Sequence, residues 1–170
     1  MEIRKDKEIH LDKSMPFSDV LAKRRSVRKY LKKPVDLDQL TEIIHETSFA
    51  PSAGNEQPWK FIIIQNSKLM EEISKACKET LLTRIAVNPN DYAKKYRHML
   101  SKESFNIFYN APCLVLILGE SHIKNLHFDC TLAACYFMMS AAAKGLGTCW
   151  INFVKVLEDP KLLDQIGLPE

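Results

Sequence analysis

No stretch of this sequence is apolar for long enough to cross a bilayer. The longest apolar runs, Cys113 to Leu118 and Leu132 to Ala143, fall short of the roughly 18 residues a span requires. The amino terminus, Met1-Glu2-Ile3-Arg4-Lys5-Asp6-Lys7-Glu8, is charged and lacks the apolar centre of a signal peptide, so the expected location is the cytoplasm. One-sided charge is also missing. A net charge of +3 and a pI near 8.5 argue against a dedicated nucleic-acid binder and suit a small anionic ligand. The five cysteines include no Cys-x-x-Cys pair and sit mostly inside apolar runs, which reads as buried free thiols in a reducing compartment. Histidines are scattered. His127 and Cys130 are helix-spaced, but no second pair completes a tetrahedral set, so no metal site is expected. Internal repeats, low-complexity tracts and domain linkers are absent as well.

What is present is an ordinary globular composition, 46% hydrophobic and 26% charged over 170 residues, and residues 1–170 read as one domain. Phe17, Val20 and Leu21 recur at helical spacing after Ser14-Met15-Pro16, where Ser14 could cap and Pro16 could occupy the first turn. Asp36 to Ser48 reads as a second helix, with Asp36 and Gln39 at capping-box spacing and Leu37, Leu40, Ile43 and Ile44 on one face. A strand over Phe61 to Ile64 follows, then a third helix capped by Asn66 or Ser67 with Leu69, Met70, Ile73, Ala76 and Cys77 on its apolar face. The signal weakens over 83–110, read here as a variable excursion or lid with some helix, whose Phe105, Phe108 and Tyr109 either enter the core or meet an aromatic ligand. Ala111-Pro112 opens a second strand over Cys113 to Leu118. Asp129 to Lys144 is a helix apolar nearly all round, one that must be covered on every side. Thr148 to Asn152 reads as a third short strand and turn, and Glu158 to Ile166 as a short last helix. Helices alternating with three buried strands make an α+β or α/β domain.

Two stretches carry chemistry. From Lys23 to Lys29, five of seven residues are cations, with Ser26 among them. Arginine presents a planar fork that grips phosphate oxygens in pairs, and a serine hydroxyl adds a donor. The same composition also fits a solvated basic helix end that complements the helix dipole. The second stretch, Ala50 to Phe61, is a loop shaped by two prolines and Gly54 that feeds a strand; Ser52, Asn55 and Gln57 can hydrogen-bond a polar ring edge. Its alternative is a plain helix-to-strand connector.

Taken in order, Arg24-Arg25-Ser26-Val27-Arg28-Lys29-Tyr30, Ala50-Pro51-Ser52-Ala53-Gly54-Asn55-Glu56-Gln57-Pro58-Trp59-Lys60-Phe61 and Gly145-Leu146-Gly147-Thr148-Cys149-Trp150-Ile151 resemble the FMN-dependent nitroreductase family. Phe105-Asn106-Ile107-Phe108-Tyr109-Asn110-Ala111-Pro112 is similar to its small members. The resemblance runs from about Phe17 to the last residue. It implies an α+β nitroreductase-like fold, a central mixed or antiparallel sheet flanked by helices, in an intertwined homodimer with FMN at each of two shared sites. By motif, Arg24, Arg25, Ser26 and Arg28 would hold the FMN phosphate and ribityl chain. Pro51, Ser52, Ala53 and Asn55 would come from the other subunit to line the flavin, with Gln57-Pro58-Trp59 fixing the loop on its strand. Trp150, Ile151 and Asn152 would pass the isoalloxazine ring, and the Asp129 to Lys144 helix would serve the interface.

The reaction implied is two-electron transfer from NADH or NADPH through flavin N5 to a nitroaromatic, quinone or similar acceptor in a ping-pong cycle, with no catalytic side chain required. A flavin-binding or sensing module with little turnover is one alternative. A specialised flavin enzyme of the same fold, such as a reductive dehalogenase or a flavin-destroying enzyme, is another. Family members usually continue past the segment resembling Ile166-Gly167-Leu168-Pro169-Glu170 into a further strand and a tail that often brings a basic residue to the FMN phosphate, and the sequence given ends at Glu170.

Overall fold

A computed structural model describes residues 15–168. Its first helix, α1, spans Phe17–Lys23 with Pro16 at the cap position, where a missing N–H costs nothing. Ser14, the expected cap, lies outside the described residues. Helix α2 spans Leu37–Thr47, and the Asp36 carboxylate accepts from the Asp38 N–H at 3.0 Å. The reciprocal half of the expected capping box does not form, because the Gln39 amide instead donates to the Lys144 carbonyl, 3.3 Å away, on another helix. Leu40 and Ile43 are buried as read, whereas Leu37 stands out in solvent.

Strand β1, Lys60–Ile64, pairs antiparallel with β2, Leu114–Leu118, in a register that sets Ile62 opposite Leu116. Between them runs α3, Ser67–Val87, capped by Asn66 through the Leu69 N–H at 3.1 Å. Its buried stripe extends beyond the expected residues to Leu81 and Ile85, so residues 83–87 complete a helix instead of starting a loop. The rest of the segment read as an excursion or lid forms a 3-10 turn, Tyr92–Tyr96, and helix α4, Arg97–Leu100. Leu100 and Ile107 are fully buried and Phe108 nearly so. The Ser74 hydroxyl accepts the Ile107 N–H at 3.0 Å, and Lys78 Nζ donates to the carbonyls of Lys102 and Phe105 at 2.7 and 2.8 Å. The segment is thereby sewn to α3.

Helix α5, Leu126–Ala143, begins three residues earlier than expected. Ala133, Phe137 and Ala141, at successive four-residue steps, face inward, and the last two pack with Leu40 and Ile43 of α2. Its carboxyl end is clamped to α2: Lys144 Nζ lies 2.9 Å from Glu42 Oε1 and 3.0 Å from Glu46 Oε1, and Ser140 Oγ donates to Glu46 Oε2. A 3-10 turn at Phe153–Val156 and α6, Pro160–Gln165, capped by Asp159, close the chain.

Among the described residues the third expected strand, Thr148 to Asn152, does not form. It is reduced to a single parallel bridge between Ser26 and Thr148, because the chain swings into the 3-10 turn before a ladder can build. The sheet therefore has two strands, and β2 pairs along one edge only. All five β2 residues border a mainly apolar cavity of about 750 Å³ that extends to Phe137 of α5 and Ile43 of α2.

Candidate flavin site

Beyond α1 the chain is extended, and the cation-rich stretch lies on the surface: Arg24 is half-buried, and Arg25, Ser26 and Arg28 are exposed. Among the described residues none of the three guanidinium groups is ion-paired to a carboxylate. Their few internal contacts are weak, Arg25 Nη1 to the Arg24 carbonyl at 3.3 Å and Arg28 over the Tyr109 ring at 5.7 Å. Cations left unpaired in this way keep their forks available to an anion.

The stretch is held in place by the segment after α5. The Val27 N–H donates to the Thr148 carbonyl at 2.9 Å beside the Ser26–Thr148 bridge. This close approach requires glycine at 147, where a Cβ would stand 2.7 Å from Val27 Cγ2. The Tyr30 hydroxyl donates back to the Val27 carbonyl at 2.7 Å, and burial first of all pushes its phenol up to about 12, so it stays a neutral donor. Trp150, Ile151 and Asn152 follow directly and line one end of the cavity with Val27, Lys29 and Tyr30. Trp150 is 47% exposed, a large ring face that the chain itself does not cover. Arg24, Arg25, Ser26 and Arg28 are not part of the cavity wall.

The second loop is anchored on α5. Ala50 and Trp59 are buried at its two ends against Ala133. Between them Gly54, Asn55 and Gln57 all have positive φ, of 58°, 57° and 48°. Two of the three are not glycine, a conformation that persists only when its surroundings impose it. Those surroundings are visible: the Gln57 N–H donates to Ser52 Oγ at 2.9 Å, the Gln57 side chain donates to the Ser48 carbonyl at 2.9 Å, and the Ala53 N–H donates to Asp129 Oδ1 at 3.0 Å. Pro51, Asn55 and Gln57 are exposed, Ser52 and Ala53 half-buried. Within one chain this loop neither borders the cavity nor hydrogen-bonds residues 24–28 or 148–152.

The structure thus joins two of the three sequence motifs, 24–28 and 148–152, and leaves the third on its own. Sequence reasoning missed Asp129 as the loop's tether; the available signal was a lone acid at the start of an otherwise apolar helix. It also missed Thr148 as the bridge partner of Ser26. Burial pushes the Cys77 and Cys113 thiols up to about 12 and about 11, which makes them inert packing groups. Among the described residues there is no cluster of three potential metal ligands and no helix long and apolar enough to cross a membrane.

Comparison with known proteins bears on the family and the fold. The nitroreductase family model matches residues 21–170. An Archaeoglobus fulgidus protein provisionally named NADH dehydrogenase/NAD(P)H nitroreductase is 24% identical over 86% of this chain and 74% of its own. An iodotyrosine deiodinase of Thermotoga neapolitana is 27% identical over 76% of this chain and 70% of its own. The crystal structure of a Bacteroides fragilis nitroreductase with bound FMN superposes with a TM-score of 0.76 at 26% identity, covering 92% of this chain and 82% of the other. With an α+β fold matching an FMN-bound neighbour and a family match over residues 21–170, the chain belongs to the nitroreductase family of flavin oxidoreductases.

Proposed function

We propose that the protein works as a homodimer that binds FMN between its subunits and carries electrons from NADH or NADPH to a nitroaromatic, quinone or similar acceptor. The observation that carries this reading is the Ser26–Thr148 bridge, which ties the stretch of unpaired cations to the segment that carries the half-exposed Trp150. The donor set suits the group. Arg24, Arg25 and Arg28 offer charge-assisted bonds to a phosphate, the Ser26 hydroxyl adds one more, and no carboxylate among the described residues competes for them.

When bound, FMN supplies a ring able to accept a hydride and release two electrons to an acceptor. The protein's own contribution is to orient. Trp150, Ile151 and Asn152 flank the ring from one subunit. The loop with Pro51, Ser52, Ala53, Asn55 and Gln57 approaches from the other, the Ser52 hydroxyl proton being still free after its oxygen has accepted from Gln57. No side chain is assigned a proton-transfer step.

Support for the second subunit comes from α5. Phe128, Leu132 and Tyr136 form a stripe at four-residue spacing on its outward face, exposed beside Phe17 and Leu21 of neighbouring α1 and more than scattered surface apolar residues would give. The test is spectroscopic. Purified protein carries stoichiometric FMN, NADH or NADPH bleaches the flavin band, and an acceptor restores it. A flavin that no nicotinamide bleaches overturns the mechanism.

The identity with the deiodinase supports a second reading, reductive dehalogenation of an aromatic substrate at the same site. Product analysis separates the two: released halide supports dehalogenation, and hydroxylamine or hydroquinone products support the first reading.

A further inference from the structure

Asp129 is 3% exposed and is the one ionisable side chain in the buried polar set, whose other described members are the neutral Thr47 and Ser74. Those two hydroxyls are satisfied, Thr47 by the Ile43 carbonyl and Ser74 by the Ile107 N–H. Asp129 is satisfied by half. Oδ1 accepts the Ala53 N–H, and Oδ2 is buried with no donor among the described residues. A buried carboxylate with one donor is a poor device for stability, since its desolvation is only partly offset. Stability alone is therefore a weak account of its presence.

The bond it makes lies where the loop needs an external reference. The other hydrogen bonds of residues 52–57 stay within the loop or reach Ser48, so they would travel with the loop wherever it went. The Ala53–Asp129 bond spans 76 positions and ties the loop to α5. Asp129 sits one turn before Ala133, against which Ala50 and Trp59 pack at the loop's ends. Helix α5 thus grips the loop at both flanks and at its turn. Phe128, the next residue back along the helix, is 68% exposed and begins the outward stripe assigned to the subunit interface.

We infer that Asp129 is a positioning residue: through the Ala53 N–H it sets the height of the loop whose Ser52, Ala53 and Asn55 meet the flavin of the partner subunit, and so links loop position to the helix that carries the interface. This rests on the proposed function. It assigns Asp129 no contact with flavin and no part in electron transfer.

Two substitutions remove the same bond from opposite ends. Asp129→Ala takes the acceptor. Ala53→Pro takes the donor, at the first position of a 3-10 turn where proline fits and after Ser52, which is already extended at φ −141° and ψ 159°. FMN affinity is measured by flavin fluorescence quenching, alongside Tm. Each variant is expected to weaken FMN binding about tenfold, the order expected for one lost hydrogen bond, and the double variant no further, because one bond is lost once. Asp129→Asn, which keeps an acceptor, restores most of the affinity. Tm of Asp129→Ala should hold or rise, since a half-satisfied charge is gone, whereas a merely structural residue would lower Tm and leave affinity alone. Unchanged FMN affinity in either folded single variant, or additive losses in the double, overturns the inference; if Asp129→Ala does not fold, Asp129→Leu, close in shape and without an acceptor, takes its place. A wild-type protein with no affinity for FMN overturns the proposed function and this role with it, while a wild type that binds and variants that bind equally well overturn this role alone.

Discussion

At the scale of single residues the site rests on charge left unpaired: among the described residues three guanidinium groups have no carboxylate partner, and one buried carboxyl has an oxygen with no donor. The cation cluster at 24–28 was readable because exposed cations depend little on the rest of the fold: five charges within seven residues announce themselves. Whether they bind phosphate was left open by composition, and the bridge to Thr148 is what favours binding over a solvated helix end. Asp129 was not readable as a tether, since its partner lies 76 positions away and only the folded chain brings them together. The prediction at this scale is direct. Arg24→Ala combined with Arg28→Ala removes charge-assisted contacts to phosphate worth about 1.5–3 kcal/mol each, so FMN affinity measured by titration falls by about a hundredfold or more while the fold survives. Equal affinity in the double variant would return the cluster to the status of a basic helix end.

Helices are legible at the scale of the element because their apolar residues recur every three or four positions, which marks the faces of α2 and α3, whereas α5 reads as apolar nearly all round. Helix ends are less legible. The buried stripe of α3 continues from Cys77 through Leu81 to Ile85, and there the polar neighbours Thr80 and Thr83 hide a helix that burial sustains. The strand expected at 148–152 failed for the opposite reason, since extended propensity without a neighbouring strand yields one bridge and no ladder. The clamp between α2 and α5 gives a pH prediction. Burial alone would raise the Glu46 carboxyl, but hydrogen bonds from Ser140 and Lys144 outweigh it and hold the group below its ordinary 4.5, while the same contacts hold the Lys144 ammonium above its usual range. A depressed carboxyl stabilises the fold above its unfolded pKa and loses that contribution as pH falls through the folded value. Wild-type Tm should therefore drop more steeply below about pH 4.5 than that of Glu46→Gln, with a difference under about 1 kcal/mol because the Glu46 carboxylate is 40% exposed and screened by solvent. Parallel Tm profiles for the two proteins would remove Glu46 from the account.

For the whole molecule, element order leaves α+β or α/β open, the motif resemblance implies α+β, and the superposition agrees with that class. Pairwise contacts between distant strands, which set the size of the sheet, were not written in any local pattern. The apolar character of α5 was. One face packs on α2, and the outward stripe at Phe128, Leu132 and Tyr136 is uncovered in a single chain. Leu132→Lys, placing a charge at the centre of that stripe, is expected to shift sedimentation from dimer to monomer and to release flavin with it. A monomer that keeps its flavin would show that the loop at 51–57 does not serve a partner's site.

The one-sided pairing of β2 also leaves a mark on how the protein exchanges protons with solvent. In an antiparallel ladder alternate amides point toward the partner strand, so alternate N–H groups of Leu114–Leu118 are held by β1 and the others face the cavity. Amide deuteration followed by NMR should alternate along this strand, slow and fast by turns, because only the held amides must await an opening event. Uniformly slow exchange across all five residues would mean that the cavity-side edge is hydrogen-bonded in solution, and the strand would then be an interior one.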